Sequence, residues 1–409
     1  MMSELSRKDA IRIIQHLRSG TPPPARLIRY IHVGRERWLE GMRWYLDRAQ
    51  DADLSAVRFV DGEYGGGKTH FLRMTAHDAL ERRFVVSEVT LRPEVRLDRF
   101  HTVWREVMQS LATPESGGEP EGIASILNRW CSEVETNYAS LQKKLSDLDK
   151  ATDLDPDFRV AIRGYLNAYA TEANLDVYLQ WLKGDTVRPP HVRATISREN
   201  ARAMLRSFIH FLKIAGYSGL VIFLDELELL ISQNQQVRNA SYDTLRQFID
   251  DADNLENFLL ICSATPQMYQ DNLWGFPSYP ALAQRIGSML TNTSGDYRAI
   301  RVNLSGEEAD LTREDLINLA KRIVEIHAVA ENWDPNQIIS EELIQGLVDD
   351  CIARGVEVPL PRLVAQMTVN LLERLQQNPK EQVDIVRQIE ETRTTVIRQD
   401  RQRFRPWED

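Results

Sequence analysis

The sequence predicts an α/β fold in which a five-stranded parallel sheet carries helices on both faces, takes a helical insertion and ends in an α-helical C-terminal lobe. Two observations predict it. Short β-rich runs, Val57 to Val60, Phe84 to Leu91, Leu220 to Leu224, Phe258 to Cys262 and Ala299 to Leu304, alternate with segments of helical period. The runs at 220 and 258 are continuously apolar, as strands buried on both faces are.

Each helical segment has its own signal. Residues 7 to 18 place Ile11, Ile14 and Leu17 on one face behind Ser6, a candidate N-cap, and Gly20 with Pro22 to Pro24 ends the segment. A stretch from Arg35 to Ala49 carries Trp38, Leu39, Met42 and Leu46 on an apolar face. Residues 92 to 219 are far more than one crossover helix needs. Within them PESGGEPEG precedes helical patterns at Ile126 to Leu141 and Phe158 to Tyr169, so an insertion over about 114–195 is expected. After Leu304, periodic segments at Arg313 to Ala328, Ser340 to Ala353, Leu363 to Leu375 and Glu381 to Arg398 predict a lobe without strands. The expected domains are therefore 1–50, 51–305 and 306–409.

Apolar residues at 43% and charged residues at 27% exclude disordered and membrane-embedded classes. The most apolar stretch, Leu220 to Ile231, is cut by Asp225, Glu226 and Glu228, so no membrane partner is expected. A net charge of −10 argues against wholesale attraction to nucleic acid and leaves room only for local contact. Cys131, Cys262 and Cys351 show no metal-ligand pairing, which fits a reducing, cytoplasmic location.

The run VRFVDGEYGGGKTHFL carries the strongest functional signal. Gly62, four residues, Gly67, Lys68 and Thr69 lie between a strand and a helix, the pattern and setting of a phosphate-binding P-loop. Gly65, Gly66 and Gly67 let the backbone turn its N–H groups toward phosphate oxygens, and the dipole of the following helix favours the anion. Tyr64 belongs to the same loop, Lys68 reaches the β and γ phosphates, and Thr69 offers a hydroxyl to Mg²⁺. His70 lines the site as a packing residue. No guanine-reading NKxD element accompanies the loop, so ATP is the expected nucleotide.

The apolar run from 219 ends in Asp225 and Glu226, the form of a Walker B element. Asp225 would hold Mg²⁺ beside Thr69, and Glu226 would polarise the attacking water, which argues for hydrolysis. The alternative is a pair of acids in the first turn of the next helix. The run from 258 ends at Ser263 and Thr265, whose hydroxyls either meet the γ-phosphate and water or cap the helix ahead of Pro266.

In this order the elements resemble the AAA+ superfamily of P-loop NTPases, in the branch of the origin-recognition initiator ATPases. His32-Val-Gly34-Arg35-Glu36 resembles the adenine-side GRE element, Leu224 to Glu226 the Walker B motif, and the strand to Ser263 or Thr265 sensor 1. Arg285 in ALAQRI resembles an arginine finger, and Arg362 in LPRLVAQMTV resembles the sensor-2 arginine of a lid helix; each also reads as a surface or helix-dipole arginine. A finger serves a neighbouring subunit, so that resemblance implies an oligomer.

More narrowly, residues 8 to 305, and GEYGGGKTHFL above all, are similar to the BREX-system ATP-binding family, encoded in bacterial phage-defence islands often alongside helicases. Membership implies a Mg²⁺-dependent ATPase, a switch or loader working as a homo-oligomer or in a hetero-complex with other defence proteins such as a helicase. Initiators carry a C-terminal winged helix for DNA, and the residues after Leu375 are too few for one. The basic tail with Arg387, Arg393, Arg398, Arg401, Arg403 and Arg405 either touches phosphates or is a solvated helix end. Two other classes remain open, a nucleotide-dependent scaffold with little turnover and an initiator-like DNA-binding ATPase.

Overall fold

The computed structural model describes residues 4–132, 134, 138–287, 296–304, 309–335, 338–355, 358–378 and 386–394. Along the chain run α1 (Arg7–Arg18), α2 (Ala25–Ile28), α3 (Glu36–Asp51), β1 (Ser55–Asp61), α4 (Lys68–Glu81), β2 (Phe84–Thr90), α5 (Phe100–Ser110) and β3 (Leu111–Ala112). Then come α6 (Gly122–Cys131), α7 (Tyr138–Lys150), α8 (Pro156–Ala170), α9 (Asp176–Leu182), α10 (Ala201–Ile214), β4 (Gly219–Asp225), α11 (Gln235–Asp250), β5 (Phe258–Ala264), α12 (Pro266–Gln270), α13 (Pro280–Ile286) and β6 (Arg301–Asn303). The chain continues with α14 (Arg313–Glu331), α15 (Glu341–Arg354) and α16 (Leu360–Gln377). Two compact units result, one of residues 1–39, 61–74 and 303–409 and the other of residues 40–60 and 75–302.

The second unit carries the sheet, in the order β3-β2-β4-β5-β1-β6. Strand β2 runs parallel to β4, with Phe84 opposite Gly219 and Thr90 opposite Asp225, and β4 runs parallel to β5. Phe59 N donates to Ile300 O and Leu304 N to Asp61 O, the alternating ladder of a parallel pair between β1 and β6. The five expected strands are all present. The sixth, β3, is a two-residue antiparallel edge on β2, too short to leave a periodic trace.

Burial explains the apolar runs, because every residue of β5 and all but the last of β4 are buried. One continuous core joins these strands to the helices between β3 and β4. Trp104 on α5 donates its indole N–H to Leu182 O at 2.9 Å, and Trp181 on α9 donates to Ala194 O at 2.9 Å, so both large rings bury without an orphaned donor. The single helical pattern read over 126–141 proves to be the end of α6 and the start of α7. Helix α8 starts where expected because Asp155 caps it and Pro156 fits its first turn.

In the first unit, α1 packs on α14 and α16, and α15 packs on α14 and α16. Ser6 caps α1 by accepting from Asp9 N, and Thr312 with Asp315 forms a capping box at α14. Ile13, Ile14 and Leu17 are buried, as are Leu316, Ala320 and Ile323. Arg7 Nε donates to Ala330 O at 2.9 Å and Arg18 pairs with Glu373, so residues near the two ends of the sequence share one bundle. Residues 386–394 are helical within the stretch read as a last helix.

His327 in α14 makes this bundle acid-sensitive. Trp333 donates its indole N–H to His327 Nδ1 at 2.9 Å, which places the imidazole proton on the buried Nε2. Burial first, against weaker help from Glu331 and Glu373, holds the His327 pKa below its ordinary value. The neutral form is therefore favoured by folding, and its stability contribution is complete above the unfolded pKa of about 6.5 and is lost as pH falls below it. Thermal melts between pH 8 and pH 5 should show Tm falling on the acid side, with a shallower fall in His327→Gln. An equal fall in both proteins would remove His327 from the explanation.

Candidate functional site

Between Asp61 and α4 the chain forms a tight loop. Lys68 is buried, and its Nζ donates to Gly62 O at 2.9 Å and Glu63 O at 3.3 Å; Gly66 N donates to Glu63 O at 2.9 Å. Helix α4 begins at once, with Phe71 N bonding to Gly67 O. Gly65 and Gly67 have φ of +68° and +90°, in the left-handed region that favours glycine. Space forbids a side chain at Gly65 as well. A Cβ on Gly65 would collide with the ring of Pro359, the N-cap residue of α16, and one on Gly67 would lie 2.7 Å from Arg35 Nη1.

The element before α3 explains how Arg35 arrives. Gly34 and Arg35 are both left-handed, with φ of +64° and +62°, a turn that costs a non-glycine residue on the order of 1 kcal/mol. Arg35 Nε then donates to Ala309 O at 2.9 Å and Nη2 to Leu304 O at 3.4 Å. Nearby, His32 Nδ1 lies 3.1 Å from His70 Nε2, with the rings stacked at 5.3 Å, and His32 Nε2 lies 3.2 Å from Glu36 Oε1. One imidazole donates to the other across the His32–His70 contact, and the tautomer sets which. Burial, followed by the charges of His32, Arg35 and Arg73, pushes the His70 pKa down to about 3. His70 is thus a neutral imidazole in a packed pair.

In the second unit, β4 ends at Asp225. Ser263 Oγ at the end of β5 donates to Asp225 Oδ1, and Glu226 N donates to the same oxygen at 3.0 Å. Glu226 itself is left-handed, at φ +63°. Thr265 stands at the N-cap position of α12, but its side chain makes no capping bond. Ser263 thus bonds the acidic strand end, and Thr265 does not cap α12 through its side chain.

The donor set suits a Mg-nucleotide. In the first unit Thr69 offers a hydroxyl oxygen and the left-handed backbone at Gly65 and Gly67 turns as a phosphate cradle does; in the second unit Asp225 offers a carboxylate, the hard oxygen Mg²⁺ prefers. Among the described residues no group of three or more His, Cys, Asp or Glu could hold a metal by itself, so Mg²⁺ would depend on phosphate oxygens and water.

The family described as "BREX system ATP-binding protein BrxC/D" matches residues 5–392. The chain belongs to this family. No curated protein matches it. Solved structures similar to this BREX ATP-binding family member include the ORC1 protein of Aeropyrum pernix in complex with DNA, at 12% identity, 90% of this chain, 67% of that chain and a TM-score of 0.42. Domain III of the replication initiation protein DnaA of Thermotoga maritima matches at 14% identity, 87% of this chain, 94% of that chain and a TM-score of 0.36. At those scores neither bears on what the chain does.

The remaining sequence candidates fall as follows in this family member. Arg285 closes α13, where its Nε pairs with Asp250 of α11 and its Nη1 donates to Ala281 O at 2.8 Å. Arg362, in the first turn of α16, lies along Gly20, whose added Cβ would be 2.6 Å from its Nε. Arg387 pairs with Glu391 and Arg393 with Glu390, while Arg398, Arg401, Arg403 and Arg405 lie outside the described residues. No described helix is long and apolar enough to cross a membrane. Pro359 escaped sequence reasoning, since a proline ahead of a helix signals only a start and not what it touches.

Proposed function

We propose that this chain is a Mg²⁺-dependent ATPase of the AAA+ type, a switch or loader in BREX phage defence that works with partner proteins in the cytoplasm. The observation that carries the reading is the loop from Gly62 to Thr69, closed on buried Lys68 at the start of a helix. Lys68 would exchange loop carbonyls for phosphate oxygens, and the amides at Gly65 to Thr69 would bind the same anion. Thr69 and Asp225 would ligate Mg²⁺, which supplies charge neutralisation at the phosphates. Ser263 orients the Asp225 carboxylate by its hydrogen bond, leaving Glu226 to position water. Arg285 is proposed as the finger offered to a second copy or a partner, released from Asp250 on assembly, and Arg362 as the lid contact.

Phosphate release from the purified chain, measured for four nucleoside triphosphates with Mg²⁺ or EDTA and with or without duplex and single-stranded DNA, tests this. ATP-selective, EDTA-sensitive turnover is expected. ATP binding with no turnover under any condition would replace the ATPase with a nucleotide-dependent scaffold, and DNA stimulation would add DNA as a target.

A further inference from the structure

We infer that Arg35 binds a phosphate group of the nucleotide through Nη1, rather than serving the base as the adenine-side resemblance implies. The inference rests on the proposed nucleotide site and assigns one of its residues a different ligand atom.

Three observations support it. Among the described residues the guanidinium is anchored along one edge, with Nε on Ala309 O and Nη2 on Leu304 O, both backbone acceptors that fix its plane. The remaining amino group, Nη1, takes part in neither bond and is the guanidinium atom nearest Gly67, lying 2.7 Å from where a Cβ would stand while Cζ lies 3.7 Å away. The donor is therefore aimed at the residue just before Lys68 in the phosphate loop. Finally, Gly34 and Arg35 adopt successive left-handed conformations to bring it there, a strain borne at an arginine that reaches the loop.

The electrostatics agree. Burial disfavours the charged guanidinium and Asp310 compensates only in part, so an arriving anion would offset a desolvation cost already incurred. Charge-assisted hydrogen bonds from a pre-oriented guanidinium to phosphate are the strong kind, and a base edge would gain much less from the same group. An adenine contact also requires no cation.

The test uses the full chain with Mg²⁺ and calorimetric titration of ATP, GTP and inorganic pyrophosphate. Arg35→Gln should weaken ATP and pyrophosphate together, by roughly ten- to a hundredfold, and leave the ATP-to-GTP preference unchanged. Arg35→Lys should not restore binding, because a single ammonium cannot keep both carbonyl anchors and still donate at Gly67. Wild-type pyrophosphate affinity in both variants, or a changed ATP-to-GTP ratio with pyrophosphate binding intact, would overturn the assignment.

Should the variants fail to fold, labelling of wild-type Arg35 by phenylglyoxal, read by mass spectrometry, still decides. Protection by pyrophosphate supports the phosphate role, and protection by adenosine but not pyrophosphate rejects it. A wild type that binds neither ATP nor pyrophosphate, and so matches Lys68→Ala, would reject the nucleotide site itself and this inference with it. Binding indifferent to Arg35 would reject the inference alone.

Discussion

Lys68→Ala is expected to lower ATP affinity at least a hundredfold while leaving the fold in place. The ammonium is the buried cation of the phosphate loop, and it donates to Gly62 O and Glu63 O. Removing it deletes the charge-assisted contact to phosphate, worth roughly 3 kcal/mol at that fold-change. Exposed Glu63 can turn its carbonyl to water, whereas the buried Gly62 carbonyl loses a donor at about 1–3 kcal/mol, so the melting temperature should fall by several degrees without loss of the fold. Titration of ATP against wild type and Lys68→Ala, with melts of both, reads the two quantities separately. Retained ATP binding in a folded variant would show that the glycine-rich turn is structural.

What the sequence made legible follows from how local each signal is. Strands β4 and β5 were readable because five-residue apolar runs bounded by glycine or polar residues have few other uses, and the loop before α4 because its glycines, Lys68 and Thr69 lie together. The start of α1 was readable because its cap, Ser6, is bonded within three residues, and the caps at Asp155 and Thr312, not read from the sequence, are equally local. By contrast, the packing of α1 on α14 and α16 joins residues some three hundred positions apart, as Arg7 to Ala330 shows, and no local pattern announces it. The same limit hid Pro359 against Gly65 and the engagement of Arg285 by Asp250. Left-handed backbone at Arg35 and Glu226 was also invisible, since neither residue type favours it.

Glu226 offers the sharpest separation of activity from stability. Glu226→Gln keeps the size of the side chain and removes the charge, so ATP binding should persist while turnover falls by about a hundred- to a thousandfold, the usual range for losing a group that positions or deprotonates water. The φ of +63° adds a second axis. Glu226→Ala and Glu226→Gly both delete the carboxylate and should be equally inactive, yet only glycine is at ease in that conformation. The glycine variant should therefore be more stable than the alanine variant by about 1 kcal/mol, a difference of a few degrees in Tm. Glycine melting above alanine, with neither turning over ATP, would mean that the strand end holds its acid at a conformational cost that function requires. Equal melting of the two would show that the left-handed turn carries no strain, and turnover retained in Glu226→Gln would move the water-positioning role elsewhere.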